Sequence, residues 1–320
     1  MASRFFFRSP WLPGILIALI FSSCASGPKN QVRNPSLGEF SYLAPGGLGY
    51  FHVDVNRARP ILAQLTMKDV DMPQTMRILR KVDFVSGAVY PPEAKRKILL
   101  HAWRQKGNIP GRAGLALSPR WKQTLSETGG KYWHSERAGL SVSIQNTQAF
   151  VSDKDPFTDG TPVSLPEKLN ELRWDALLVG WLENAGTSIN NFLSTIGLPV
   201  HIPTERILFG IYESAGQEPD DAVSPEAGSA KDLPEPLYEM RLRVETGNDN
   251  QAKALAALLA FVRVLAENPN INVDQEFLEV LRPLLVNPPS QDGPDLVIQT
   301  SALNAQGIAL LFSRFAVYSQ

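Results

Sequence analysis

Two hydrophobic periods succeed one another along this chain, and their order predicts its architecture. Residues 49–55 alternate, with Phe51, Val53 and Val55 on one side, as a half-buried strand does. Asn56 stands where a cap belongs, ahead of a short helix through Leu65 that carries Pro60 in its first turn. Residues 82–90 and 96–105 read as strands joined by a turn at 91–94. Residues 107–111 then lead into a helix bearing Leu115, Leu117, Trp121 and Leu125. A hairpin made of 139–144 and 149–152 closes the series.

The order then recurs. Strand 176–182 leads into a helix with Ile189, Phe192, Leu193 and Ile196 on one side, followed by strands 206–212 and 238–245. Gly247-Asn-Asp-Asn introduces a long helix, and 295–301 with 307–312 reads as the closing hairpin. Phe84-Val-Ser-Gly-Ala-Val-Tyr90 and Ile207-Leu-Phe-Gly-Ile-Tyr212 place a glycine and a tyrosine in register to within one residue. The predicted class is α+β: two similar, pseudo-symmetric halves, each an antiparallel sheet with helices packed on one face. The halves span 39–152 and 171–320, with a linker at 153–170. An acidic insertion rich in Pro, Ser, Gly and Ala, 214–236, is expected to be disordered.

The N-terminus changes the setting. Arg4 and Arg8 precede an apolar run, 11–21, that is shorter than the roughly 20 residues a membrane span requires. With Ser22 and Ser23 it forms a signal peptide over 1–23. Cys24, the only cysteine, follows the small residues directly, which is the pattern of a bacterial lipoprotein signal. The thiol would take a diacylglyceryl group and the freed amine a further acyl chain, an anchorage strong enough to be almost permanent. Residues 24–38, polar and without period, read as a flexible tether.

Composition and motifs remove other classes. With 31 Lys and Arg against 32 Asp and Glu, there is no basic excess for nucleic acid. Once Cys24 is lipidated, no thiol remains for a disulfide, a nucleophile or a metal site. Pro45-Gly-Gly-Leu-Gly49 lacks the Lys-Ser/Thr of a phosphate loop, and no Gly-x-Ser-x-Gly elbow occurs. His52, His101, His134 and His201 stand far apart and read as surface residues of strands and loops. Trp103 and Trp181 read as core; Trp133, between Tyr132 and His134, is either core or part of a stacking platform. No catalytic residue, cofactor or metal is nominated, and the expectation is a non-enzymatic protein.

The remaining chemistry lies in apolar helices. Residues 251–266 are helical by propensity, with Lys253 and Arg263 as the only charges. Leu255, Leu258, Leu259 and Val262 make a stripe that Ala256, Ala260 and Phe261 widen. Burial between two layers and exposure to lipid both fit that width. Residues 273–286 place Phe277, Leu278, Leu281, Leu284 and Leu285 at helical spacing, and 187–196 is a third amphipathic stretch. On a tethered body such helices dock at high local concentration. Ala256, Leu259, Phe261, Phe277 and Leu281 are the candidate lipid contacts.

Val85-Ser-Gly-Ala-Val-Tyr-Pro-Pro, Ile98-Leu-Leu-His-Ala, Gly114-Leu-Ala-Leu-Ser118, Gly130-Lys-Tyr-Trp-His-Ser135 and Ala138-Gly-Leu-Ser-Val142 together resemble a treponemal (spirochaete) family of concealed outer-membrane lipoproteins. The resemblance implies an α/β body with amphipathic helices, held at the inner leaflet of the outer membrane and facing the periplasm. It further implies lipid interaction, closed and open forms, and an ability to perturb or modify that membrane; it brings no catalytic residues. The expected function is a lipid-anchored envelope protein that binds lipid or the membrane surface, with the membrane as partner through Cys24. The alternative is a periplasmic scaffold that binds another envelope protein.

Overall fold

Strand pairing joins the two halves directly. In this computed structural model, which describes residues 38, 40–66, 80–157, 162–187, 190, 204–214, 235–267 and 282–318, a 12-stranded sheet runs through the whole body. Its strands are β1 (Gly49–Asp54), β2 (Phe84–Val89), β3 (Ile98–Trp103), β4 (Lys122–Leu125), β5 (Lys131–Ser135), β6 (Leu140–Gln145), β7 (Gln148–Ser152), β8 (Leu178–Glu183), β9 (Thr204–Glu213), β10 (Tyr238–Thr246), β11 (Ser290–Asp292) and β12 (Asp295–Gln299). The spatial order is β11-β12-β10-β9-β8-β1-β2-β3-β7-β6-β5-β4, antiparallel at each junction. The helices are α1 (Val55–Thr66), α2 (Arg112–Leu117), α3 (Leu169–Arg173), α4 (Asp249–Glu267) and α5 (Ala305–Tyr318).

The halves meet where β1 pairs with β8 and Phe51 lies opposite Gly180. Gly180 has no tolerance for a side chain, since a Cβ there would overlap the Tyr50 carbonyl and the Phe209 ring. Outward from this junction come β2, β3, β7 and β6 on one side, and β9, β10, β12 and β11 on the other.

Because side chains alternate across a strand, the sheet has two chemically distinct faces. The helical face carries Val53, Ala102, Val142, Val151, Leu178, Ile211, Met240, Val244, Leu296 and Ile298, all buried. There α1 and α5 pack on one another through Ala58, Ile61, Ile308 and Leu311, and Leu115 of α2 joins the β5–β7 core. The opposite face is covered mostly by non-helical chain. Phe40 and Leu43, Val163 and Leu165, and Leu169 and Leu172 of α3 lie over Tyr50, Leu99, Val179, Trp181 and Leu208.

Several expectations are corrected. Helices do not keep to one face: α3 packs against the side away from α1, α4 and α5. Within the 153–170 linker, described residues bond to the first half. Val163 donates to the Leu43 carbonyl at 2.9 Å, and Asp153 accepts from the amides of Lys97 and Ile98. Asp54, not Asn56, caps α1 by accepting from the amides of Asn56 and Arg57 at 3.0 and 3.2 Å. The helix after residue 111 stops at Leu117, because Ser118 precedes Pro119 and is held extended (ψ 124°). Leu125 then falls on β4. Residues 307–312 form helix rather than strand: Asn304 Oδ1 accepts from the Gly307 amide at 2.8 Å and starts α5. The partner of β12 in the closing hairpin is β11. Gly87 and Gly210 project to opposite faces, so the one-residue offset in their match is a real difference.

Candidate functional site

The long apolar helix is present, and its start follows from local hydrogen bonding. Asn248 Oδ1 accepts from the Gln251 amide at 3.1 Å, while Gln251 Oε1 reaches back to the Gly247 amide at 2.7 Å. These side chains satisfy donors that the first turn leaves open, and Asp249 complements the positive end of the helix. The inner side of α4 is settled. Ala252, Leu255 and Val262 are buried, and Leu255 packs with Val244, Leu284, Leu296 and Ile298.

The outer side divides the candidate contacts. Ala256 and Leu259 are half-buried and pack against that core. Phe261 is 50% exposed and Val264 60%, so these two apolar side chains project from the body. Ala254, Ala257 and Ala260 are exposed beside them, with Lys253 and Arg263 as the charged neighbours. The wide stripe is therefore divided: one side of the helix is buried in the core and the other is exposed. Cys24, Phe277 and Leu281 lie outside the described residues, as do most of 187–196 and 214–236. Leu284 and Leu285, at the end of the 273–286 stretch, are buried. Among the described residues no helix is long and apolar enough to cross a membrane, and no group of metal-ligating side chains converges.

Sequence reasoning missed the chemistry of the other face. His52 and His101 are buried there, not on the surface. Phe84, His52, Trp103, His101 and Phe150 stack side by side across β2, β1, β3 and β7, with centroids 4.7–5.7 Å apart. His52 Nδ1 lies 3.0 Å from Ser86 Oγ, and Ser86 is wholly buried, so the pair ties β1 to β2. Burial, assisted by the positive charges of Arg173 and a protonated His101, pushes the His52 imidazole down to about 3. Burial pushes His101 down to about 4, opposed by Gln148. Trp133 is buried on the helical face while Tyr132 and His134 point the other way, which excludes a shared platform. The signal for the histidines was available: His52 alternates with Tyr50, and His101 with Leu99 and Trp103, all on strands.

A charged cluster closes this face over the second half. Arg243 Nε donates to Asp295 at 2.5 Å and Nη1 to Glu171 at 2.6 Å, while Nη2 reaches Asp292. Lys168 Nζ adds a 2.6 Å bond to Asp295, which is 1% exposed. Desolvation lowers the Arg243 pKa, but the bonds to the three carboxylates outweigh it and hold the pKa above its ordinary value. The cluster therefore fastens α3 and the linker to β10, β11 and β12.

No family model matches this chain, and no curated protein matches it in sequence. Solved structures do match. Crystal form III of TP0453, a treponemal lipoprotein, superposes with a TM-score of 0.54 at 16% identity, covering 88% of this chain and 100% of that one. The chain shares its fold with TP0453. Crystal form I of TP0453 gives a TM-score of 0.50 at 14% identity, covering 88% of this chain and 98% of that one. At this identity the likeness concerns the fold, a mixed α and β body built on a large antiparallel sheet.

Proposed function

We propose that this chain is a lipid-anchored, non-enzymatic envelope protein whose body meets lipid through the outer side of α4. The observation that carries the reading is the exposure of Phe261 and Val264 on a helix whose inner side already fills the core. Phe261 and Val264 lie one turn apart on the same exposed side, and a body tethered through Cys24 can bury them together at the bilayer interface. The shared fold with TP0453, itself a treponemal lipoprotein, supports placement in the spirochaete envelope, with the anchor in the periplasmic leaflet of the outer membrane. Duplication of the two halves belongs to the same reading, supported by the like order of strands on either side of the β1–β8 junction. The test is liposome flotation of the unlipidated body starting at Pro28. Flotation with vesicles supports docking by the body; recovery in the soluble fraction with every lipid composition overturns it.

A scaffold that binds another envelope protein is the second reading, favoured by Trp174, which is 84% exposed at the end of α3. Exposed tryptophans commonly anchor protein interfaces. Crosslinking in cells that recovers a stoichiometric protein partner through position 174 would favour it.

A further inference from the structure

Both buried histidines lie under one short piece of chain, and that piece is the continuation of the tether. Phe40 rests edge-on over His52 at 6.2 Å and on Trp181 at 5.0 Å. Two residues on, Tyr42 covers His101 at 4.4 Å and Phe150 at 5.3 Å, and is itself 40% exposed. Leu43 is buried between them and 163–172. The segment is held to the body by these polar bonds: the Leu43 carbonyl accepts from the Val163 amide, the Ala44 carbonyl accepts from the Tyr50 and Tyr90 hydroxyls at 3.0 Å, and the Gly47 amide donates to the Tyr50 hydroxyl at 2.6 Å. It contributes no strand to the sheet, so it can leave without breaking a ladder.

We propose that residues 40–47 form an acid-released strap, kept down by neutral His52 and His101 and freed when these two imidazoles take up protons. The groups around the rings favour this direction. Arg173, at the end of α3, and His101 both oppose a charge on His52, which also meets Ser86, Phe40, Phe84 and Trp103. His101 is 3% exposed and neither ring nitrogen makes a hydrogen bond; Gln148 on β7 is the polar side chain that favours its charged form. A charged imidazole under Tyr42, at 3% exposure, would be cut off from bulk solvent. Lifting the strap supplies the water.

The consequence is mechanical. A lifted strap adds its own length to the tether, on the order of 25 Å for eight extended residues, and bares Trp181, His52, His101 and Phe150. The release stands on the strap's contacts alone, whereas the longer reach rests on lipid attachment at Cys24. The test therefore reads release in the full chain without vesicles, so that failure of release and failure of membrane docking are separate results.

The measurement is hydrogen exchange of the strap amides between about pH 7 and about pH 4.5, corrected for intrinsic rates. If both imidazoles recover ordinary behaviour when uncovered, the opening constant at Leu43, Gly47 and Val163 rises up to about a hundredfold per pH unit below about 6.5. The amides of the β9–β10 pair stay protected over the same range. His101→Phe keeps an aromatic ring in the stack and removes one proton, which reduces the rise to about tenfold per unit. Strap protection that is indifferent to pH, or that is lost together with β9–β10, overturns the proposal. Should the variant not fold, the imidazole resonances of the wild-type chain decide. Titration of His52 and His101 in step with loss of strap protection supports release, and titration with the strap still protected contradicts it.

Discussion

The two faces of the sheet are buried by opposite means. On the helical face, rows of Val, Ile, Leu and Met lie under α1, α4 and α5, and the covering helices show their amphipathic period. On the strap face the sheet presents Ser86, Ser141, Ser143 and Ser152, two histidines, stacked rings and a charged cluster, yet these are buried as well. Short unperiodic segments cover much of this face, 40–47 held by hydrogen bonds and 162–173 also by ion pairs. A helix covers a sheet by repeating itself; a strap covers it by individual contacts. The strap face is therefore as much a core as the helical face and is more sensitive to single polar changes.

The largest effect should come from the middle of the strap face. Trp181 is fully buried, stacks on Tyr50 at 4.6 Å and donates to Glu183 at 2.8 Å. Trp181→Ala should cost about 3–5 kcal/mol in denaturant unfolding, no less than Leu296→Ala on the helical face at about 2–5 kcal/mol. A much smaller loss at Trp181 would break the equivalence of the two faces. Arg243→Met comes next. It leaves Asp295 with Lys168 as its partner and Glu171 with none of the arginine's hydrogen bonds. A loss of about 1–3 kcal/mol is expected, because the buried Asp295 carboxylate loses one of its two charged partners and keeps only Lys168.

Acid separates the faces further. Both histidine pKa values are lower in the folded state than the ordinary 6.5, so the unfolded chain binds more protons as pH falls. Their contribution is intact above about pH 6.5 and is lost downward toward about 4, by roughly 1.4 kcal/mol per pH unit for each ring. Chemical denaturation at stepped pH should show that slope in the wild type and about half of it in His101→Phe. Asp54→Ala, which removes only the cap of α1, should cost about 1 kcal/mol at neutral pH.

How far the chain could be read follows the same division. Strands β1, β2, β3, β6, β7, β8, β9 and β10 and helix α4 were legible because period and capping residues agreed, as at Asn248 and Gln251. In β6, Leu140-Ser-Val-Ser-Ile-Gln145 alternates like a half-exposed strand, yet Ser141 and Ser143 are buried. Their hydroxyls meet His134 and the Lys131 carbonyl on the neighbouring β5, which alternation alone does not reveal. For His52 and His101 the alternation with Tyr50, Leu99 and Trp103 marked their face of the sheet, but not its cover, which Phe40 and Tyr42 supply. At the candidate site the sequence singled out α4 and Phe261. It could not divide Ala256 and Leu259, which join the core, from Phe261, which does not, because that depends on where Leu284, Leu296 and Ile298 lie. Val264, more exposed than Phe261, was passed over because it falls outside the apolar stripe.

The smallest expected effect on stability is the most informative about function. Phe261→Ser with Val264→Ser touches neither face of the sheet and should change unfolding by no more than about 0.5 kcal/mol. Its effect belongs at the membrane. The most direct measurement places an environment-sensitive fluorophore on a unique thiol at position 261, made by Phe261→Cys in a Cys24→Ser background, and a control at the exposed Glu205 by Glu205→Cys. On addition of phospholipid vesicles the label at 261 should brighten and shift to the blue, and the label at 205 should not change. No response at 261, or an equal response at both positions, would contradict docking through α4.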